Sequence, residues 1–194
     1  GFLPLQAAVA IRLDESIVTE IFRLAPGAAQ DTSMEGLTAG LWAVERMTYS
    51  TQLIRSLLAD VPRPWLHRLL RARRRGNGSF IHHYSGLRSA TISMLNLLLA
   101  LAAPGGEVSR TKLKATRWRD SNGRTPLHIS CMQGAPTVTD GLATYDKEAA
   151  SMVDNEGYSP IFTLLAHISE QSIPYSQAEI EMCIAALLSA SPQS

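Results

Sequence analysis

Cysteine is scarce in this sequence: Cys131 and Cys183 are the only two among 194 residues. Two thiols are too few to staple a small secreted scaffold, and no cysteine pair has the spacing of a zinc site. Long apolar runs are missing as well. The longest covers residues 92–103 and is interrupted by Asn96, whereas a membrane-spanning helix needs roughly 20 residues. The opening Gly-Phe-Leu-Pro-Leu has neither an initiator Met nor the basic start of a signal peptide. It is expected to belong to a longer chain that carries any targeting signal elsewhere.

What is present is ordinary in amount and unusual in arrangement. Hydrophobic residues make up 45% and charged residues 18%, which argues against wholesale disorder and for one or two domains with a buried core. The formal charge is +1, but it is badly segregated. Residues 1–62 hold four basic and seven acidic side chains (−3), 63–124 hold thirteen and two (+11), and 125–194 hold one and eight (−7). A central block at +11 speaks to long-range fields and association partners, not to fold.

The stretch Asp120-Ser121-Asn122-Gly123-Arg124-Thr125-Pro126-Leu127-His128 is the most informative. Asn122-Gly123 suits a tight turn that needs positive φ. Thr125 suits a helix N-cap, and Pro126 the first helical position, where no amide donor is lost. His128 stands where its side chain can reach back to the cap, and Gly134 suits a left-handed helix end. Gly157 lies 34 residues after Gly123 and Pro160 lies 34 after Pro126, inside Asp154-Asn155-Glu156-Gly157-Tyr158-Ser159-Pro160. Weaker copies stand at Leu3-Pro4-Leu5 and at Gly36-Leu37-Thr38. Each is followed by an apolar stripe at helical spacing: Ile17, Val18, Ile21, Phe22 and Leu24 after the first, then Leu53, Ile54, Leu57 and Leu58 after the second.

Turn, T-P-L-H box and a period near 33 together resemble the ankyrin repeat. The resemblance implies an all-α helix-turn-helix solenoid with short β-hairpin loops and two long inter-repeat insertions. As a single domain over 1–194 it would hold about five repeats: 1–35, 36–77 with a basic insert at 62–77, a degenerate 78–122 with a basic insert at 104–119, 123–156 and 157–194. In the degenerate unit Ile81-His82-His83-Tyr84 is expected to open the first helix, and residues 89–102 to form the second. The last unit is expected to carry helices over 160–168 and 176–189, with Ile180, Cys183, Ile184, Leu187 and Leu188 as its core stripe. Gly123, Thr125, Pro126, Leu127, His128, Gly134, Gly157, Ser159 and Pro160 are read as repeat-structural. Gly141 falls in the second helix of the 123–156 unit, after the β-branched Thr137, Val138 and Thr139. At about 1 kcal/mol against Ala it marks a weak helix, whose amides should exchange more slowly with Ala there.

The inserts carry the positive charge. Six arginines fall in 63–75, and five basic residues in 110–119. Stacked loops of a solenoid lie on one side, so Trp65, Arg68, Arg71, Arg73, Arg74, Arg75, Lys112, Lys114, Arg117 and Trp118 are candidates for one basic surface. It reads as a solvated insert, as a surface for an acidic protein segment, or as a phosphate-binding surface for nucleic acid or an anionic membrane face. The turn tips with Asp120, Asn122, Asp154 and Glu156 are the second candidate, suited to a basic or polar partner. No nucleophile with a base and orienter can be assembled from the linear order. His82 and His83 diverge by about 100° on a helix. No catalytic, metal or cofactor site is expected. What the resemblance implies is a non-enzymatic, monomeric protein-interaction module, intracellular in cytoplasm or nucleus. The alternatives are direct binding of anionic ligands by the insert, or a regulatory part of a larger enzyme, channel or transcription regulator.

Overall fold

The computed structural model describes residues 3–33, 36–46, 49–72, 78–102, 115–170 and 175–190. Among these the ordered elements are all helical, with no β-strand. Two compact units are formed, residues 1–69 and 70–194. The first holds α1 (Pro4–Ala10), α2 (Glu15–Leu24), a 3-10 turn (Pro26–Ala29), α3 (Ala39–Arg46) and α4 (Thr51–Ala59); α5 (Arg63–Arg71) carries the boundary. The second holds α6 (Phe80–Ser85), α7 (Ile92–Leu101), α8 (Pro126–Gln133), α9 (Pro136–Tyr145), α10 (Lys147–Ser151), α11 (Pro160–Ser169) and α12 (Gln177–Ala190).

Local chemistry sets the helix starts. Proline occupies the first turn of α1, α8, α9 and α11, where its missing N–H costs nothing. Ser50 and Thr91 accept the backbone N–H of Leu53 and Met94 into their hydroxyls, capping α4 and α7. Gly134 ends α8 at φ 74°, in the left-handed region.

In the first unit α1 packs on α3, and α3 on α4. Leu5, Val9, Leu41, Val44, Ile54, Leu57 and Leu58 are buried there. The stripe on α2 is only partly inside: Val18 is buried, Ile21 and Phe22 are half-buried, and Ile17 and Leu24 are exposed. Among the described elements α2 packs mainly on α1 and α4 and the short 3-10 turn, so only a narrow strip of it is covered.

The second unit is built of two rows. First helices α6, α8 and α11 pack in succession, with α8 in the middle, and second helices α7, α9 and α12 do the same around α9. Phe80, Ile81, Tyr84, Leu95, Leu98, Leu127, Val138, Leu142, Leu164 and Leu187 are buried between them. The degenerate unit opens at Phe80, one residue before the expected start, and its second helix begins at Ile92. Leu188, expected in the core stripe of α12, is 59% exposed; Cys183, Ala186, Leu187 and Ala190 take the buried face instead.

Gly141 needs a different explanation from weakness. A Cβ at this position would meet Ile92 Cδ1 at 2.0 Å and Cγ1 at 2.9 Å. The glycine lets α9 approach α7 closely, so the expected gain from Ala there is opposed by a steric clash.

Candidate interaction surface

One turn is built three times. In each, the first residue donates its N–H to the carbonyl four residues on: Ser33 to Leu37 at 2.9 Å, Asp120 to Arg124 at 2.9 Å, Asp154 to Tyr158 at 2.9 Å. Gly36, Gly123 and Gly157 close these turns at φ 72°, 76° and 85°. The Asp120 carboxylate accepts the N–H groups of Asn122 and Arg124, both at 2.8 Å. Asp154 does the same for Glu156 and Tyr158 at 2.9 Å. In the first copy the hydroxyl of Ser33 takes the N–H of Leu37 instead.

The sequence places Asp120 and Asp154 at acidic tips, but these residues are only 9% and 7% exposed because their carboxylates hold their own turns. Among the described tip positions of these two turns, Ser121, Asn122, Asn155 and Glu156 face solvent, and only Glu156 is charged. The two turns also join. Asn155 donates its backbone N–H to Asn122 O at 2.9 Å and its side-chain amide to Ser121 O at 3.1 Å.

Behind the Asp120 turn sits a box closed by histidine. Thr125 donates its N–H to His128 Nδ1 at 3.1 Å, and His128 Nε2 lies 3.0 Å from Tyr158 O. A carbonyl only accepts, so Nε2 carries the proton and Nδ1 is the acceptor. Ser79 and His82 repeat this one unit earlier: Ser79 N–H points to Nδ1 at 3.2 Å, and Nε2 lies 3.0 Å from both Trp118 O and Arg124 O. Burial pushes both imidazoles below their ordinary value, against the carbonyl acceptors and the nearby Asp120 and Asp154. His82 stands outside the sequence-read repeat residues, and Phe80 occupies the place that proline takes in the later boxes. The spacing of Ser79 and His82, identical to that of Thr125 and His128, is the signal for it.

The basic surface divides. Trp65 (36% exposed), Arg68 and Arg71 lie on the outer face of α5, while Leu66 and Leu70 are buried. Arg71 stacks over the Trp118 ring, 5.8 Å from its centroid, so the first insert meets the end of the second here. Arg119, the next residue after Trp118, is exposed. Arg73, Arg74, Arg75, Lys112 and Lys114 lie outside the described residues.

Arg117 is spoken for. Its guanidinium grips Asp146 in a fork, 2.8 Å to each carboxylate oxygen, and also reaches Glu148. Thr116 Oγ1 donates to the same carboxylate. Burial pushes Asp146 up, but the hydrogen bonds from Arg117 and Thr116 outweigh it and hold the carboxyl below its usual range. Nothing in the sequence around Asp146 marks it as this anchor.

The remaining candidates for chemistry are closed off. Cys131 and Cys183 are buried; burial raises the Cys131 thiol strongly and pushes Cys183 up to about 11. Neither offers a thiolate near neutral pH. Among the described residues no group of three His, Cys, Asp or Glu side chains is placed to hold a metal ion. None of their helices is long and apolar enough to cross a membrane. A shallow groove of about 470 Å³ lies between α2 and α4, but its charged groups are paired, Glu15 with Ser50 and Arg23 with Glu20.

No protein-family model matches this chain, and no curated protein matches its sequence.

Proposed function

We propose that this protein is a non-enzymatic, ankyrin-like interaction module that binds an acidic segment of a partner protein at Arg71, Trp118 and Arg119. The observation that carries the reading is the Arg71–Trp118 stack, with the exposed Arg119 next to Trp118 in the chain. There a planar aromatic face and guanidinium groups are offered together, a combination suited to carboxylate recognition. The ankyrin likeness is supported by the recurrent turn and box, and by the rows of first and second helices in residues 70–194. A scaffold whose turns hydrogen-bond to one another is preorganised, which lowers the ordering cost of binding. The inward rotation of Asp120 and Asp154 shifts the preferred ligand from a basic one at the tips to an anionic one at the arginines.

The test is a quantitative pull-down from nuclease-treated host lysate, comparing the native chain with an Arg71→Ala, Arg119→Ala variant of equal thermal stability. Partners lost by the variant support the reading, and acidic segments should recur among them. Identical partner lists would reduce these arginines to solvated side chains. Partners that vanish with nuclease alone would favour nucleic acid, for which Trp118 beside two guanidinium groups is also a suitable stacking platform.

A further inference from the structure

The box at the start of α6 and α8 ends in histidine; that of α11 ends in phenylalanine. Ser79 and His82, Thr125 and His128, Ser159 and Phe162 hold equivalent places. The histidines are 3% and 0% exposed, each covered by a following segment whose carbonyls accept from Nε2. One helical turn further, Ser85 and Cys131 are fully buried. On α11 the matching residues are Phe162, 52% exposed, and Leu165, 47% exposed. Tyr158 lies against Phe162 with ring centroids 4.7 Å apart and planes 10° from parallel, and is itself 42% exposed. The face that α6 and α8 keep covered is open on α11, and it carries a phenyl ring where theirs carries an imidazole.

This exchange has a chemical meaning. Phenylalanine has no N–H to give, so the face does not offer a carbonyl of another turn the bond that His82 and His128 make. It offers rings and a branched aliphatic chain. A contiguous exposed apolar patch marks an interaction site. Exposed carboxylates stand at both ends of the stripe, Glu156 in the turn and Glu170 at the C-cap of α11. Glu170 Oε2 is 3.9 Å from His167 Nδ1, a loose contact.

We infer that the Tyr158–Phe162–Leu165 face of α11 docks an amphipathic helix of a partner protein, apolar along one side with Lys or Arg at both ends of that side. Charge selects this occupant over a second copy of the chain. Residues 125–194 carry one basic and eight acidic side chains, and pairing two such faces would set Glu156 and Glu170 against the same carboxylates. None of these side chains belongs to the Arg71–Trp118 surface.

The probe is a fluorescein-labelled amphipathic peptide of about 15 residues, long enough for four helical turns, with a Leu/Phe stripe and Lys at both ends. Its counterpart carries Glu at the ends. By fluorescence anisotropy with the full chain, the Lys-ended peptide should bind and the Glu-ended one should not. Phe162→Ser with Leu165→Ser should weaken binding about tenfold, the loss expected from removing most of the apolar contact. Glu156→Gln with Glu170→Gln should weaken it a few fold and flatten its salt dependence, and decides the matter should the serine variant fail to fold. Arg71→Ala with Arg119→Ala should leave it unchanged, which separates this surface from the proposed function. Absence of binding, or equal binding by the serine and glutamine variants, overturns the inference. So does dimerisation of the native chain in sedimentation velocity that the serine variant abolishes, because the occupant is then a second copy.

Discussion

His128 Nε2 donates to the carbonyl of Tyr158, 3.0 Å away and 30 residues later in the chain. A single imidazole therefore closes the box that starts α8 and anchors the turn that precedes α11. His82 makes the same link one unit earlier, to Trp118 and Arg124. Protonating either ring puts a hydrogen on Nδ1, opposite the N–H of Thr125 or Ser79, and the cap is lost.

Acid should loosen this protein above the range in which carboxylates titrate. Burial holds both histidines below the value near 6.5 of a free imidazole. Between the folded and unfolded values the native state binds fewer protons than the unfolded one. The stability they contribute is complete above about pH 6.5 and is lost as pH falls through the folded values, at up to about 1.4 kcal/mol per pH unit for each ring. Urea melts from pH 7.5 to 5 should show this slope, and His82→Gln with His128→Gln should flatten it. A flat native profile over that range would show that neither ring is held neutral.

Gly123 and Gly157 share a backbone conformation but not a neighbourhood. A Cβ on Gly123 would lie 2.2 Å from Asn155 Oδ1 and 2.8 Å from its backbone N, while one on Gly157 would meet nothing within 4 Å. Gly157→Ala should cost only the left-handed strain, about 1 kcal/mol. Gly123→Ala should cost about 3 kcal/mol, because the turn-to-turn bond from Asn155 N–H to Asn122 O must also yield. Equal losses of Tm in the two variants would mean that the turns do not depend on their mutual contact.

The Gly141–Ile92 pair is suited to a double-mutant cycle. Gly141→Ala alone should be neutral or destabilising, since a helix-propensity gain of about 1 kcal/mol meets a clash of about 1–3 kcal/mol. On an Ile92→Ala background the clash is gone and the same change should stabilise. Chemical denaturation of the four proteins measures the coupling. Additive effects would show that α7 and α9 do not pack at these side chains.

Glycine with Asn or Glu before it, a Ser or Thr cap, proline after it and a 34-residue spacing are local facts. Turn, cap and helix start are satisfied within a few residues, so they can be read along the chain: Asn122-Gly123, Thr125 and Pro126 each do in the fold what their chemistry suggests. Leu53, Ile54, Leu57 and Leu58 likewise announce a buried face by spacing alone. Which charges reach solvent is not local. Asp120 and Asp154 turn inward to their own N–H groups, and Arg117 is held by Asp146, 29 residues away. Arg71 reaches Trp118 across a long stretch of chain. Those outcomes depend on what stands opposite each side chain after packing, and so does the openness of Phe162 where His128 is covered. The sequence by itself determined the repeating helical units; the tertiary structure decided which of their faces remain available to a partner.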